Sequence, residues 1–188
     1  MFSASDLRKG LKIEIDGEPY EIVGFDFHKP GKGQALYRCK LKHMLNGTTM
    51  DRTFRSADKV GKPDLMETEM VFSYQEGDQY VFMDEETFEQ VHIGKDIVGD
   101  KAPFLVPETV CKVLFYKDKP VEITLPPFVE CKVAATEPGA RGDTATNVTK
   151  PATLENGHEL AVPIFVNEGD VIKVDTRSGE YRERVNKA

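Results

Sequence analysis

A chain of 188 residues, 39% hydrophobic and 30% charged, is long enough for one large domain or for two to three small ones. No apolar run approaches the roughly 20 residues of a membrane-spanning helix, and no apolar segment of the signal-peptide type follows the first residues. We therefore expect a cytoplasmic protein without a membrane partner. Eleven prolines and fifteen glycines favour many turns and short strands.

The net charge of −7 is unevenly distributed along the chain. Residues 1–63 carry 12 basic and 8 acidic side chains (net +4), residues 64–126 carry 5 and 14 (net −9), and residues 127–188 carry 8 and 10 (net −2). An acidic chain with one basic end can bind nucleic acid at that end, while its acidic parts are repelled by the phosphates. A solvated charged face is the alternative interpretation, and charge alone favours it.

The first third has the pattern of a small β-domain. The segment LKIEID alternates apolar and polar residues, Asp16-Gly17 offers a tight turn, and EPYEIVGFDF continues as a second strand. ALYRCKLKHML alternates again, so Arg38, Lys40 and Lys42 should share one face, because successive side chains of a strand point to opposite sides. These residues are candidates for contact with RNA phosphates.

The loop between these two strands reads HKPGKGQ and holds a lysine at its tip. Pro30 restricts its own φ to the turn value, and Gly31 and Gly33 can adopt positive φ without steric cost. The glycines also remove Cβ atoms on either side of Lys32, so a thin cationic tip could enter a narrow polyanionic channel. An ordinary hairpin turn with a solvated lysine is the alternative, which turn chemistry alone favours. The window between Asp26 and Asp51 favours the channel, because it has no acid and carries Lys29, Lys32, Arg38, Lys40 and Lys42.

Short strands continue through the other two thirds, which predicts an all-β chain of three consecutive small β-barrels. The segments KVGKPD (59–64) and LPPF (125–128) suggest domain boundaries, giving domains 1–63, 64–126 and 127–188. The only helix candidate lies near GKDIVGD. Turns are predicted at three further sites, with a two-residue hairpin at the first: Asn46-Gly47, Glu76-Gly77-Asp78 and Ser178-Gly179.

No catalytic or metal-binding motif can be assembled from the residues. A Walker phosphate loop is excluded because Asp26 stands where the pattern needs glycine, and Gly33 follows Lys32 where it needs serine or threonine. The four histidines share no ligand spacing with the cysteines. We therefore expect neither an enzyme nor a metal or other cofactor. Three widely spaced cysteines are expected to be buried free thiols: Cys39, Cys111 and Cys131.

Six motifs occur in a specific order over essentially the whole chain. They are DLRKGLKIEIDGEPYEIV (6–23), KPGKGQA (29–35), FRSADKV (54–60), ETFEQ (86–90), GDTATNVTKPATLENG (142–157) and VPIFVNEGDVIKVDTRSGEYRERV (162–185). The combination strongly resembles the bacterial elongation factor P family. The resemblance implies a KOW/SH3-like barrel that carries the lysine tip, then an acidic OB-type barrel and a C-terminal OB-type barrel, with an overall shape similar to a tRNA.

The resemblance further implies a non-enzymatic translation factor. Such factors bind the ribosome, with contacts to both subunits, between the peptidyl-tRNA and exit sites, and they relieve stalling at consecutive prolines. Proline is a poor nucleophile, and its ring distorts the peptidyl end, so the reacting groups are poorly positioned for peptide-bond formation. Correct positioning can lower the barrier to such a reaction by roughly 7 kcal/mol or more. The factor would supply geometry and charge, while the ribosome supplies the catalysis.

By the same resemblance, Lys32 corresponds to the tip residue that reaches the CCA end of the peptidyl-tRNA. A lysine-modifying enzyme extends this residue in many members. Lysine excludes the rhamnosylated type, which carries arginine, and points to β-lysylation, although some lysine-bearing members carry another extension or none. The rest of the matching tip loop consists of Lys29, Pro30, Gly31, Gly33 and Gln34.

The resemblance also suggests RNA contacts in the last third of the chain. Gly142, Asp143 and Thr144 match a loop placed near the exit-site codon and the small subunit, but ATNVTK follows them instead of a second glycine-rich run. Tyr181 and Arg182 lie in the C-terminal hairpin, which is an RNA-contacting edge in this interpretation. The acidic middle third would be held away from RNA.

Two alternatives of different kinds compete with this interpretation. A paralogous ribosome-binding factor of the same architecture could have a different specificity, although the lysine in KPGKGQA favours the main family. A general binder of single-stranded nucleic acid, built from OB-folds, needs aromatic platforms beside basic residues. The most aromatic segment, MVFSYQEGDQYVFMD, is acidic, which argues against the second alternative.

Overall fold

Strands form nearly all of the regular structure in the computed structural model, which describes residues 1–138 and 148–187. The all-β prediction is therefore confirmed, and the GKDIVGD segment contains helix α1, Lys95–Val98. Two 3-10 helices cover Ala4–Asp6 and Gly99–Phe104. The strands are β1 Phe2–Ser3, β2 Lys12–Ile15, β3 Glu18–His28, β4 Leu36–His43, β5 Thr49–Arg55, β6 Lys59–Val60, β7 Leu65–Glu76, β8 Gln79–Met83, β9 Gln90–Gly94, β10 Val110–Tyr116, β11 Lys119–Thr124, β12 Phe128–Thr136, β13 Thr149–Leu154, β14 Glu159–Pro163, β15 Val171–Asp175 and β16 Tyr181–Asn186.

The described residues divide into two compact units. The first contains Met1–Glu67 and the hairpin segment Leu114–Glu122, and the second contains Thr68–Val113 and the described residues from Ile123 onward. In the first unit, β2-β3-β4-β5 form a four-stranded sheet in this order, and β1 pairs with β6. Apolar side chains that alternate along these strands meet in one core: Leu7, Ile13, Ile22, Cys39, Leu41, Phe54 and Val60.

Two five-stranded sheets account for the remaining strands, in the orders β11-β10-β7-β8-β9 and β14-β13-β12-β15-β16. Together with the first sheet they give the predicted layout of three small barrels. Phe82 on β8 is fully buried in the middle sheet. The C-terminal sheet closes over a core of its own: Phe104, Val129, Cys131, Val133, Ala152, Leu154, Val162, Val166, Ile172 and Val174.

The prediction of a two-residue hairpin at Asn46-Gly47 is wrong. The amide of His43 donates to the carbonyl of Thr48 at 2.7 Å, so residues 44–47 form a longer loop. The cause lies in the imidazole of His43, whose Nδ1 accepts the amides of Leu45 (3.1 Å) and Asn46 (3.3 Å). The side chain of His43 therefore satisfies two loop amides, which allows a longer loop in place of a two-residue turn closed by backbone hydrogen bonds.

The segment KVGKPD also contributes more structure than its composition suggests. Lys59–Val60 forms β6, and Val60 is buried in the first core. Gly61 exchanges two backbone hydrogen bonds with Glu14, at 2.9 and 3.0 Å. The part of this segment before Pro63 is thus an edge of the first barrel.

All three cysteines are buried free thiols, as predicted. Burial raises the pKa of each thiol, for Cys111 to about 11. Among the described residues, no helix is both long and apolar enough to span a membrane.

Candidate functional site

The lysine-tip loop is held at the end of a long two-stranded arm. β3 and β4 pair from Tyr20↔His43 to His28↔Leu36, with one irregularity between Ile22 and Gly24. β4 pairs with β5 along almost the same length. The ladder therefore continues to the base of the loop, and on the β4 side a third strand supports it.

Within the loop, Lys32 is exposed, and in the fully described segment 28–36 its ammonium makes no hydrogen bond or ion pair. Gly33 adopts a φ of +123°, a conformation that L-residues rarely take, whereas Gly31 does not use a positive φ. A Cβ added at Gly33 would come within 3.6 Å of Pro30 Cγ. The loop thus presents two exposed lysines, Lys29 near its base and Lys32 at its tip, and only one of its two glycines is required by the backbone.

The basic residues of β4 do lie on one exposed face, but that face is not purely cationic. Burial alternates along the strand, with Cys39 and Leu41 inside. Neighbouring strands bring acids into register with the cations, which the acid-free stretch of sequence could not reveal. The cross-strand partners are Asp26 for Arg38, Asp51 for Lys40 and Glu21 for Lys42.

The opposite face of the same arm carries an aromatic group that the sequence reasoning missed. The irregularity at Val23 shifts the alternation of β3, so Phe25 and Phe27 point to the same side as Cys39 and Tyr37, their register partners. Their rings lie 6.4 Å and 5.0 Å from the Tyr37 ring. The alternation in GFDF was the available signal, but its direction depends on the bulge.

At the other end of β3, the turn Asp16-Gly17 is docked against the hairpin segment 114–122. The phenol of Tyr116 donates to Gly17 O at 2.9 Å and to Glu14 Oε2 at 3.1 Å. Burial raises the pKa of Tyr116, the hydrogen bond with Lys117 lowers it, and the carboxylate of Glu14 raises it further. The phenol therefore remains protonated and acts as a hydrogen-bond donor at neutral pH.

The predicted sites of the last third have different outcomes. Gly142, Asp143 and Thr144 lie outside the described residues. Tyr181 packs against the C-terminal core, and burial raises its pKa. Arg182 is exposed, with its guanidinium carbon 6.0 Å from the centre of the Phe128 ring. Of this pair, Arg182 is the exposed residue and Tyr181 is half-buried.

The described residues contain no cluster of three or more histidine, cysteine, aspartate or glutamate side chains that could hold a metal. The chemistry available at the hairpin arm is therefore that of the exposed loop lysines with Lys32 at the tip, mixed charges on one face and aromatic rings on the other. This arrangement can position and neutralise a polyanion, but it offers no nucleophile paired with a base.

Family models match three successive parts of the chain. Residues 3–60 match the elongation factor P KOW-like domain, residues 65–123 match the elongation factor P OB domain, and residues 129–184 match the elongation factor P C-terminal domain. Among solved structures, the chain is similar to "Eukaryotic translation initiation factor 5A from Methanococcus jannaschii", with a TM-score of 0.55 and 23% identity. That match covers 66% of this chain and 91% of the other, and it supports the fold.

Full-length relatives agree with the domain matches. The chain is 55% identical over 186 residues to elongation factor P of Desulforapulum autotrophicum, which covers 99% of this chain and 100% of the relative. It is also 55% identical over 184 residues to elongation factor P of Nitratidesulfovibrio vulgaris, with coverage of 98% and 100%. The chain therefore belongs to the elongation factor P family of translation elongation factors.

Proposed function

We propose that this chain binds the cytoplasmic ribosome between the peptidyl-tRNA and exit sites and relieves stalling at consecutive prolines. The observation that carries the proposal is the exposed, unpaired ammonium of Lys32 at the tip of a supported hairpin arm. A side chain that contributes nothing to the core is free to be used by a partner. The tip would enter the RNA-lined centre and hold the peptidyl-tRNA end in position.

The energetic argument is one of positioning. Peptide-bond formation with proline is slowed because the reacting ends are poorly aligned, and alignment alone can supply about 7 kcal/mol or more of barrier reduction. The arm offers a firm scaffold and a cation for a negatively charged RNA environment. The chain itself would provide no acid, base or nucleophile in this mechanism.

We further propose that a modifying enzyme extends Lys32, in the manner of β-lysylation. The ammonium is accessible, and the fully described loop segment 28–36 gives it no competing partner. An added aminoacyl arm would lengthen the reach and keep the positive charge. Mass spectrometry of the peptide that contains Lys32, from protein purified from its native host, tests this: an unmodified mass contradicts the extension but not the role of the tip.

Phosphate contacts are proposed for exposed cations outside the tip. Arg38, Lys40 and Lys42 would approach tRNA or ribosomal RNA, although their neighbouring acids reduce the net charge of that face. Arg182 would serve the same purpose on the C-terminal barrel. Gly142, Asp143 and Thr144 remain proposed contacts of the small subunit, and Tyr181 a weaker one because its ring is engaged with the core.

Translation of a reporter with three consecutive prolines, in a reconstituted system, tests the main proposal. Native-host protein should rescue this reporter and leave a proline-free reporter unchanged. Lys32→Ala should fold normally and lose the rescue, because the tip makes no core contact. Lys9→Ala, a change at another exposed lysine of the same barrel, is the matched control and should retain full rescue.

The results separate the candidate functions. If unaltered native-host protein has no effect on the proline reporter, a paralogous ribosome-binding role with another specificity replaces this proposal. If Lys32→Ala rescues as well as the unaltered chain, the proposed role of Lys32 is refuted.

A further inference from the structure

We propose that Phe25, Phe27 and Tyr37 form a stacking platform for unpaired RNA nucleotides beside the lysine tip. This inference deepens the proposed function and rests on it, because the RNA is reached on the ribosome. Phe27 and Tyr37 are cross-strand partners with ring centres 5.0 Å apart, and Phe25 follows at 6.4 Å from Tyr37. We refer to these three side chains as the aromatic platform.

The core of the first barrel does not use the aromatic platform fully. Phe25 is 37% exposed and Phe27 is 49% exposed, and neither belongs to the core cluster. Tyr37 borders that cluster and links the two phenylalanines to it. Removing large aromatic rings from water is favourable. An exposed group of such rings on a supported arm therefore marks a surface for contact with a partner.

The charges around the platform favour RNA as the partner. Near the rings, β3 and β4, which are fully described here, place no carboxylate on the platform face, because Asp26 points to the opposite face with Arg38. Glu18, at the far end of β3, lies on the platform side but is engaged with His43, at 2.7 Å between Oε2 and Nε2. Beyond the platform, the loop adds the cations Lys29 and Lys32. Aromatic rings next to cations, without acids, are the usual composition of a surface on which bases stack while phosphates are neutralised.

Arg52 is a further cation near the platform. Arg52 lies on the same face, opposite Cys39, and its guanidinium carbon is 5.5 Å from the centre of the Phe54 ring. However, Arg52 also borders a cleft that contains Asp16 and Asp58. Because Arg52 also faces this cleft, the positive potential assigned to the platform is that of the loop lysines alone.

The platform would determine how RNA lies against the arm. Stacking is tolerant of base identity because every base has a π face, so it holds an unpaired nucleotide without reading its sequence. A nucleotide held at Phe27 lies one residue pair below the loop. The side chain of Lys32 would then act on the adjacent part of the same strand, with the platform as a positioning element.

The platform is tested by substitutions that remove an aromatic ring but keep an apolar side chain, compared with substitutions that keep the ring. Phe27→Leu and Tyr37→Leu should each weaken binding to ribosomes stalled on consecutive prolines about tenfold, since stacking on one ring contributes roughly one to two powers of ten in affinity. Phe27→Tyr and Tyr37→Phe keep the rings and should bind as the unaltered chain does. Phe88→Leu, a change at another exposed ring, is the matched control and should have no effect.

A second measurement identifies the partner directly. A photoreactive benzoyl-phenylalanine introduced at position 27 of the full chain should crosslink to tRNA or ribosomal RNA in the stalled complex. Crosslinks only to a ribosomal protein, to a second copy of the chain or to nothing would overturn the platform.

The two proposals fail in different ways. If the unaltered chain rescues the proline reporter and Phe27→Leu and Tyr37→Leu bind normally, the platform is refuted and the proposed function stands. If the unaltered chain neither binds stalled ribosomes nor rescues the reporter, the proposed function is refuted, and the platform is refuted with it.

Discussion

Strand β3 lies between two turns that use similar residues, but one turn contacts another segment of the chain and the other is exposed to solvent. Asp16 and Gly17, before the strand, both have positive φ values, 53° and 78°, and form a docked turn beneath Tyr116. The loop after the strand also contains a glycine with positive φ, Gly33, but the cation at its tip has no partner in this described part of the chain. One strand thus connects a turn that is bonded to another segment with a tip that is not.

The difference teaches that turn residues alone do not indicate what a turn does. Both turns use glycine to permit a backbone conformation that other residues adopt at a cost. What separates them is the partner: a phenol donates to the carbonyl of the first turn, whereas the second has only solvent. The docked turn should therefore influence stability, and the exposed tip should influence activity.

The largest change in stability is expected when Tyr116, the partner of the docked turn, is removed. Tyr116 is only 3% exposed, so Tyr116→Ala should lower the free energy of unfolding by about 3 kcal/mol or more through the lost ring and the cavity. Tyr116→Phe, which loses only the hydroxyl, should cost about 1 kcal/mol. Urea unfolding of both variants gives these values, and Lys32→Ala, at the exposed tip, should leave the midpoint unchanged.

A Tyr116→Phe variant as stable as the unaltered chain would show that the two hydrogen bonds contribute nothing. The docked turn would then be held by packing and by the ion pair of Lys12 with Glu122, at 3.3 Å. That result would weaken the distinction between the two turns, since the carbonyl of Gly17 would not need the phenol as its partner.

Alanine substitution at the two tip glycines sharpens the other side of the contrast. Gly33→Ala places a side chain at a φ of +123° and should cost about 1 kcal/mol, as strain or as a rearranged loop. Gly31→Ala meets open space without a positive φ and should be tolerated. In the proline-reporter assay Gly33→Ala should lose most of its rescue and Gly31→Ala should keep it; equal activities would contradict the structural difference.

A pH titration should distinguish the turns by a smaller effect. Burial raises the pKa of Tyr116 above its ordinary value of 10.0, and hydrogen bonding with Glu14 adds to this. The stability that comes from the docked phenol is therefore fully present below pH 10 and is lost as the pH rises through the higher folded-state pKa. Melting temperatures from pH 8 to 11 should fall more steeply for the unaltered chain than for Tyr116→Phe, and parallel curves would contradict the linkage.

Much of the fold follows from local patterns in the sequence. The alternation in ALYRCKLKHML gives the exposed face of β4 correctly, because the strand has no irregularity in its pairing with β5. Asp16-Gly17 gives its turn because both residues tolerate positive φ. The exposed position of Lys32 likewise follows from the loop composition.

The rest depends on contacts that are distant in sequence. The aromatic platform requires the shift at Val23, which only the pairing of β3 with β4 reveals. The acids beside Arg38 and Lys40 come from neighbouring strands, so a charge count along one strand overestimates the positive potential of that face. The longer loop at Asn46-Gly47 depends on a side chain, the imidazole of His43.

The contrast between the tip, for which we propose binding, and regions without that role extends to the acidic middle barrel. Glu85, Glu86 and Glu89 are exposed on the loop between β8 and β9, and their charge should repel RNA rather than contribute contacts. Replacing all three by glutamine should therefore leave the affinity for stalled ribosomes almost unchanged, or increase binding to unrelated RNA. The measurement is a pair of dissociation constants, for stalled ribosomes and for a free oligonucleotide. A clear loss of ribosome binding would mean that these acids contact a basic ribosomal surface, and the tip would then share recognition with the middle barrel.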